Sequence, residues 1–170
     1  MSSSLARRRR RLPAGCSALD VRMMQRALAL AARAAGEGEV PVGAVVYRGD
    51  DVLGEAGNRR EASTDPSDHA EIVAMRLAAQ RLGGWRLEGC SMAVTLEPCT
   101  MCAGATVNGR LARIVYGADD PKAGACRSLY RIPQDARLNH RPAVVGGVLA
   151  AASAGLLRTF FRARRAAAIR

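Results

Sequence analysis

Two short runs hold the residues best suited to chemistry: His69-Ala70-Glu71 and Pro98-Cys99-Thr100-Met101-Cys102. Cys99 and Cys102 are three positions apart, so at the start of a helix both sulfurs face one side. A helix N-terminus carries partial positive charge, which favours thiolate and therefore metal ligation. His69, at the start of a second helix, supplies a third ligand. Three protein ligands are one short of the closed tetrahedral shell of a structural zinc, and the open fourth position is where a catalytic zinc holds water. Glu71 lies two residues from His69, an offset that does not set it beside the histidine as another ligand. Near a helix start it can reach a metal-bound water instead. Hydrolysis of an amine needs such a carboxylate, because the attacking water must lose a proton and the leaving amine must gain one. By itself a C-x-x-C is redox or structural as often as catalytic, and a lone His-x-Glu means little; the pairing of the two carries the reading. A fourth ligand from Cys90, Cys126 or His140 would close the shell and make the zinc structural.

These residues need elements to hold them. Asp20 is suited to cap a helix on which Met23, Met24, Ala27, Leu28, Ala31 and Ala35 recur at helical spacing, with Gly36 ending the run. Apolar, β-branched residues at 42–47, a turn at 49–51 and a further strand at 52–56 predict a hairpin. A polar loop at 58–68 follows, then a helix over 69–82 closed by Gly83 and Gly84. Residues 91–96 predict a buried strand, and Pro98 suits the first position of a helix running to about Asn108. Another strand is expected at 112–116, loop over 117–133, an edge strand within 143–148 and a final Ala/Leu/Arg-rich helix to Ala168. Strands alternating with helices after an opening hairpin imply an α/β fold, a three-layer α/β/α sandwich around a mixed five-stranded sheet.

The 170 residues suit one domain, expected over 19–170, preceded by a basic and disordered extension at 1–18. Five cysteines, two of them in the C-x-x-C, point to metal or redox chemistry rather than a disulfide framework. No apolar run is long enough to span a bilayer and the N-terminus lacks a secretory h-region, so a cytoplasmic protein is expected. The formal charge of +11 is concentrated at the ends. Five arginines at 7–11 and five more at 158, 162, 164, 165 and 170 have no acid among them, while residues 20–151 are nearly neutral. Arginine localised in this way suits a polyanionic partner such as nucleic acid.

The His-Ala-Glu and Pro-Cys-x-x-Cys pair resembles the zinc-dependent nucleoside and nucleobase deaminases. The similarity narrows to the bacterial tRNA-specific adenosine deaminases, cytidine-deaminase-like in fold, which convert the wobble adenosine of an arginine tRNA to inosine. It runs through Glu39-Val40-Pro41-Val42-Gly43-Ala44, Gly57-Asn58-Arg59, Thr95-Leu96-Glu97-Pro98-Cys99, Asp120-Pro121-Lys122-Ala123-Gly124-Ala125, Leu138-Asn139-His140-Arg141 and Phe160-Phe161-Arg162-Ala163-Arg164-Arg165. The resemblance implies one Zn2+ per subunit on His69, Cys99 and Cys102, with zinc-bound hydroxide attacking C6 of a flipped-out adenine. Glu71 would shuttle protons to N1 and to the departing ammonia. Asn58 matches the asparagine that hydrogen-bonds the target base, while Val42, Ala70, Leu96 and Pro98 would line its pocket, and peptide N–H groups near Cys99 would help hold the metal-bound oxygen. Asp120 and Lys122 match a loop contacting neighbouring nucleotides. Phe160, Phe161, Arg162 and Arg165 would pack against the tRNA anticodon stem-loop, and the family is homodimeric. The chain departs from the family pattern at Asp119, at Arg127 (often glycine in relatives) and in the arginines at 7–11.

Some of these residues can also be weighed alone. Asn58 in a Gly-Asn-Arg turn could simply adopt a left-handed backbone. Phe160 and Phe161, being consecutive on a helix, cannot both face one core, and an exposed aromatic suits base stacking. Lys122 is the sole lysine among 26 basic residues, which suggests that a compact ammonium is wanted there. Two other functions compete. A free-base or nucleoside deaminase of guanine or cytosine type would use the same zinc chemistry, but has little use for a basic terminal helix. A non-catalytic RNA-binding module with structural zinc would have no need of Glu71.

Overall fold

Along β1 (Gly43–Arg48), Ala44 and Val46 point to one side and Val45 and Tyr47 to the other, and all four are buried. This strand therefore needs a cover on both faces, and the computed structural model, which describes residues 12–168, supplies it. On one face Val45, Tyr47, Ala93, Val115 and Val145 pack against α1 (Ala18–Gly36). On the other, Ala44, Val46, Met92, Val94, Ile114 and Tyr116 share a cluster with Ala70, Val73, Ala74 and Ala78, and with Ala103. The expected three-layer sandwich is the observed one.

The sheet has five strands in the order β2-β1-β3-β4-β5. β2 (Asp51–Gly57) and β3 (Ser91–Leu96) both pair antiparallel with β1, while β3, β4 (Arg113–Ala118) and β5 (Ala143–Val145) run parallel. The parallel step from β3 to β4 requires a crossover, which is α4 (Thr100–Asn108). A short helix, α2 (Arg60–Ser63), interrupts the loop expected to be without structure, and α3 (Ala70–Leu82) ends at Gly83, whose φ of 68° makes the left-handed cap. At Gly54 on β2 a Cβ would stand 2.3 Å from the Ala74 carbonyl oxygen, so α3 lies directly on the sheet there. The closing helix, α5 (Ala150–Ala168), touches the sheet where Ser153 meets Gly117; Ser153 is its one fully buried residue.

Three local expectations are corrected. Asp20 is not the cap of α1: Ser17 takes that position, its hydroxyl accepting from the Asp20 N–H while the Asp20 carboxylate accepts from the Ser17 N–H, a capping box. The buried face of α1 includes Leu30 and Ala34, whereas Leu28 and Ala35 are half-buried at its margin. Pro98 lies outside α4, because Cys99 is the residue at the cap. The arginines at 7–11 and Arg170 lie outside the described residues. Among the described residues, no helix is long and apolar enough to cross a membrane.

Candidate active site

His69 and Cys99 occupy the same structural position on two facing helices. Each is extended at the residue before its helix, His69 ahead of α3 and Cys99 ahead of α4, so both side chains sit where backbone N–H groups are unpaired. Cys102, one turn into α4, is fully buried. The His69 Nδ1 lies 3.7 Å from the Cys99 Sγ and 3.5 Å from the Cys102 Sγ. A tetrahedral zinc with ordinary Zn–S and Zn–N bonds would hold a sulfur and a nitrogen about 3.6 Å apart, so the three donors fit that ion. Among the described residues no other His, Cys, Asp or Glu joins the group. His140 turns its Nε2 to the Leu111 carbonyl at 2.6 Å, Cys90 lies beside Arg48, and Cys126 is enclosed in the apolar core.

The charges of the group also fit a cation. Among the protein groups alone, the Cys102 thiol donates to Cys99 and the His69 ring faces it, pulling the Cys99 thiol down to about 4 even though burial opposes ionisation. Cys102 shifts the other way, raised by that shared hydrogen bond, by burial and by neighbouring Glu71. Two sulfurs thus compete for one negative charge, and a divalent ion would let both be thiolates. Glu71 sits beside Cys102 inside α3, 4% exposed, and burial raises its carboxyl above the usual range. A carboxyl so placed is ready to accept and return a proton.

Around this group the sequence candidates separate into two sets. Val42, Ala70 and Leu96 share one apolar cluster, with Pro98 buried where β3 ends. Asn58, 7% exposed, donates from Nδ2 to Glu39 at 2.9 Å, and its N–H bonds the Val42 carbonyl. Asn58 is held in an ordinary hydrogen-bonded setting, and it is not among the residues with left-handed backbone. The second set lines a cleft of about 710 Å³ that includes Leu96, Asp120, Lys122, Phe161, Arg162 and Arg165. Phe160 departs from it: it lines a groove between α5 and α1, with Phe161 edge-on at 5.4 Å. Two of the three departures from the family pattern meet each other, the Arg127 guanidinium pairing with Asp119 at 2.9 Å.

Two residues that fall within the family motifs, but to which the sequence alone assigns no role, stand behind these. Glu39, 1% exposed, holds Asn58 with one oxygen and accepts the Ala62 N–H with the other. Glu97, 2% exposed, gathers the backbone of the loop that carries Asp120 and Lys122. Glu97 is an acid in the largely buried run from Met92 to Pro98, and that mismatch was the available signal; Glu39 follows exposed Gly36, Glu37 and Gly38 and offers no such signal.

Residues 19–165 match the MafB19-like deaminase family. The tRNA-specific adenosine deaminase of Bacillus subtilis is 43% identical over 146 residues, covering 86% of this chain and 91% of the relative. That of Haemophilus influenzae is 45% identical over 152 residues, covering 88% and 87%. A solved structure from work on A-to-I editing by tRNA:A34 deaminases at the wobble position of transfer RNA superposes with a TM-score of 0.77 at 42% identity. It covers 80% of this chain and 99% of its own. A site with three side chains that could hold a metal and a buried carboxylate, on this sheet and with relatives this similar over nearly the whole length, establishes that the chain belongs to the tRNA-specific adenosine deaminases, hydrolytic enzymes of the MafB19-like deaminase family.

Proposed function

We propose that the protein hydrolyses adenosine to inosine and ammonia at the wobble position of a tRNA anticodon, the tRNA being an arginine tRNA. The observation that carries this reading is the adjacency of two unlike sites. A three-donor group with a buried carboxylate lies at the end of β3, and a cleft bearing an exposed aromatic and several cations opens from the same strand end at Leu96.

A zinc ion held by His69, Cys99 and Cys102 would supply the Lewis acidity that makes water a nucleophile near neutral pH. Glu71 takes one proton from the attacking water and delivers it to N1 of the adenine as the water oxygen bonds to C6, then takes that oxygen's second proton and delivers it to the exocyclic amine as the C6–N bond breaks, so adenosine plus water gives inosine plus ammonia. Asn58 orients the base: Glu39 occupies one of its amide hydrogens, leaving the carbonyl oxygen and the second hydrogen for the ring. Val42, Ala70, Leu96 and Pro98 exclude water from the purine. Phe161 offers a face for a neighbouring base, and Lys122, Arg162 and Arg165 offer cations to its phosphates. Phe160, half-buried against α1, supports Phe161 from behind. The reading includes one zinc per subunit and a cytoplasmic homodimer.

Purified protein incubated with an anticodon stem-loop, free adenosine, cytosine and guanine tests the substrate. Inosine at the wobble position is expected, and turnover of a free base alone would sink the proposal. Glu71→Ala should lower kcat by about 10³-fold while zinc content and RNA affinity stay near wild type.

A further inference from the structure

Glu97 takes no part in the chemistry above, yet it is among the largest fully enclosed side chains of the molecule. Its Oε1 accepts the N–H groups of Cys126 at 3.1 Å, Arg127 at 2.6 Å and Ser128 at 2.9 Å. Its Oε2 accepts the Asp120 N–H at 3.0 Å and the Ser128 hydroxyl. Among the described residues it has no cationic partner. A buried carboxylate without a counter-cation is tolerable only while its donors stay in place.

All five donors come from one loop, residues 119–128, gathered at both of its ends. Between those ends the loop closes on itself, with the Asp120 Oδ1 accepting from the Lys122 N–H at 2.9 Å and the Gly124 N–H donating to the Asp120 carbonyl at 2.8 Å. It also rests on the turn that carries Cys99, pairing Gly124 with Cys99 and donating from the Ala125 N–H to the Pro98 carbonyl. A Cβ on Gly124 would stand 2.3 Å from the Glu97 Oε2, so only glycine lets the loop come this close.

We infer that Glu97 is a positioning residue for substrate RNA: it presets the Asp120–Lys122 segment by holding the loop backbone from beneath, without touching substrate. The inference rests on the reading that the cleft beside that segment takes the anticodon loop. Preorganisation of this kind lowers the ordering cost of binding and so acts on KM more than on the chemical step.

The test uses zinc-loaded, full-length Glu97→Gln and Gly124→Ala with the anticodon stem-loop. Glu97→Gln keeps the size but turns a donor toward donors, and Gly124→Ala puts a methyl where the carboxylate lies. Each should raise KM about tenfold or more with kcat within about threefold, since misplacing a binding segment penalises association. Zinc should stay at one per chain, and amide exchange at Asp120, Cys126, Arg127 and Ser128 should accelerate. Faster exchange with wild-type KM would overturn the inference, as would parallel loss of kcat and zinc, which marks a merely structural role. Should Glu97→Gln fail to fold, Gly124→Ala decides alone. A wild-type protein inactive on the stem-loop would overturn the functional reading and this inference together, whereas an active wild type with unchanged variant KM would overturn only the inference.

Discussion

Asn58 has two amide hydrogens and one carbonyl oxygen to offer, and Glu39 takes one of the hydrogens at 2.9 Å. That single bond fixes which way the amide faces, because a flipped amide would set its oxygen against a carboxylate. In the proposed reaction Glu39→Gln therefore loosens the base-orienting group without touching zinc. KM for the stem-loop should rise about tenfold, the equivalent of one charge-assisted hydrogen bond. Steady-state kinetics with metal analysis checks it; unchanged KM in a folded variant would show that Asn58 is oriented by something else. The two buried acids also show why the site was only half legible. His69, Glu71, Cys99 and Cys102 announce themselves because their spacing is read along a helix start. Glu39 and Glu97 act on partners 19 and 23 to 31 residues away, across loops whose path no local spacing encodes.

At the scale of elements, the first helix shows how a local pattern becomes a tertiary joint. Asp20 completes the capping box, then accepts from the Tyr47 hydroxyl of β1 at 2.8 Å and from both guanidinium nitrogens of Arg113 on β4, at 2.6 and 2.8 Å. The helix start is thereby fixed across three strands of the sheet, which explains why an acid reads as a cap yet is not one. The same logic governs the other corrections. Leu28 and Leu30 both fit an amphipathic period, and only the position of the sheet decides which is buried. Pro98 satisfies the rule for a first helical residue, but Cys99 must remain extended to present its sulfur. Burial of Asp20 would raise its carboxyl, but the hydrogen bonds from Arg113, Ser17 and Tyr47 outweigh it and leave the folded value below the ordinary one. The stabilisation is then present above about pH 4 and lost as pH falls through the folded value. Asp20→Asn should cost about 3 kcal/mol at neutral pH, the scale for breaking a buried ion pair from one side. Urea unfolding across pH checks both parts: the gap between variant and wild type should narrow steadily below pH about 4. A pH-independent gap would mean that the carboxylate charge contributes nothing.

Across the whole molecule, charge is divided from chemistry. The proposed metal donors lie between α3 and α4 on one face of the sheet, while α5, on the other face with α1, is exposed along most of its length and carries Arg158, Arg162 and Arg165 to the same cleft as Lys122. The loop over Glu97 bridges the two, so the cleft meets the sheet at the C-terminal end of its central strand, β3, which leads into the turn carrying Cys99. Charge asymmetry was visible in the sequence, but its direction was not: arginines on a helix encircle it, and the packing of α5 on the sheet and α1, with Ser153 seated against Gly117, turns Arg162 and Arg165 toward Lys122 while Arg164 stacks over Phe160. This placement separates the two basic ends of the chain. If phosphates are gripped from α5, the double variant Arg162→Ala, Arg165→Ala should weaken stem-loop binding and reduce the slope of log affinity against log salt by about two, one for each phosphate no longer neutralised. Removing the arginines at 7–11, which lie outside the described residues, should lower affinity by less at every salt concentration. Fluorescence anisotropy over a salt series measures both. Equal losses in affinity and slope from the two changes would mean that the RNA answers to total charge, and that the cleft beside Leu96 does not set where it lies.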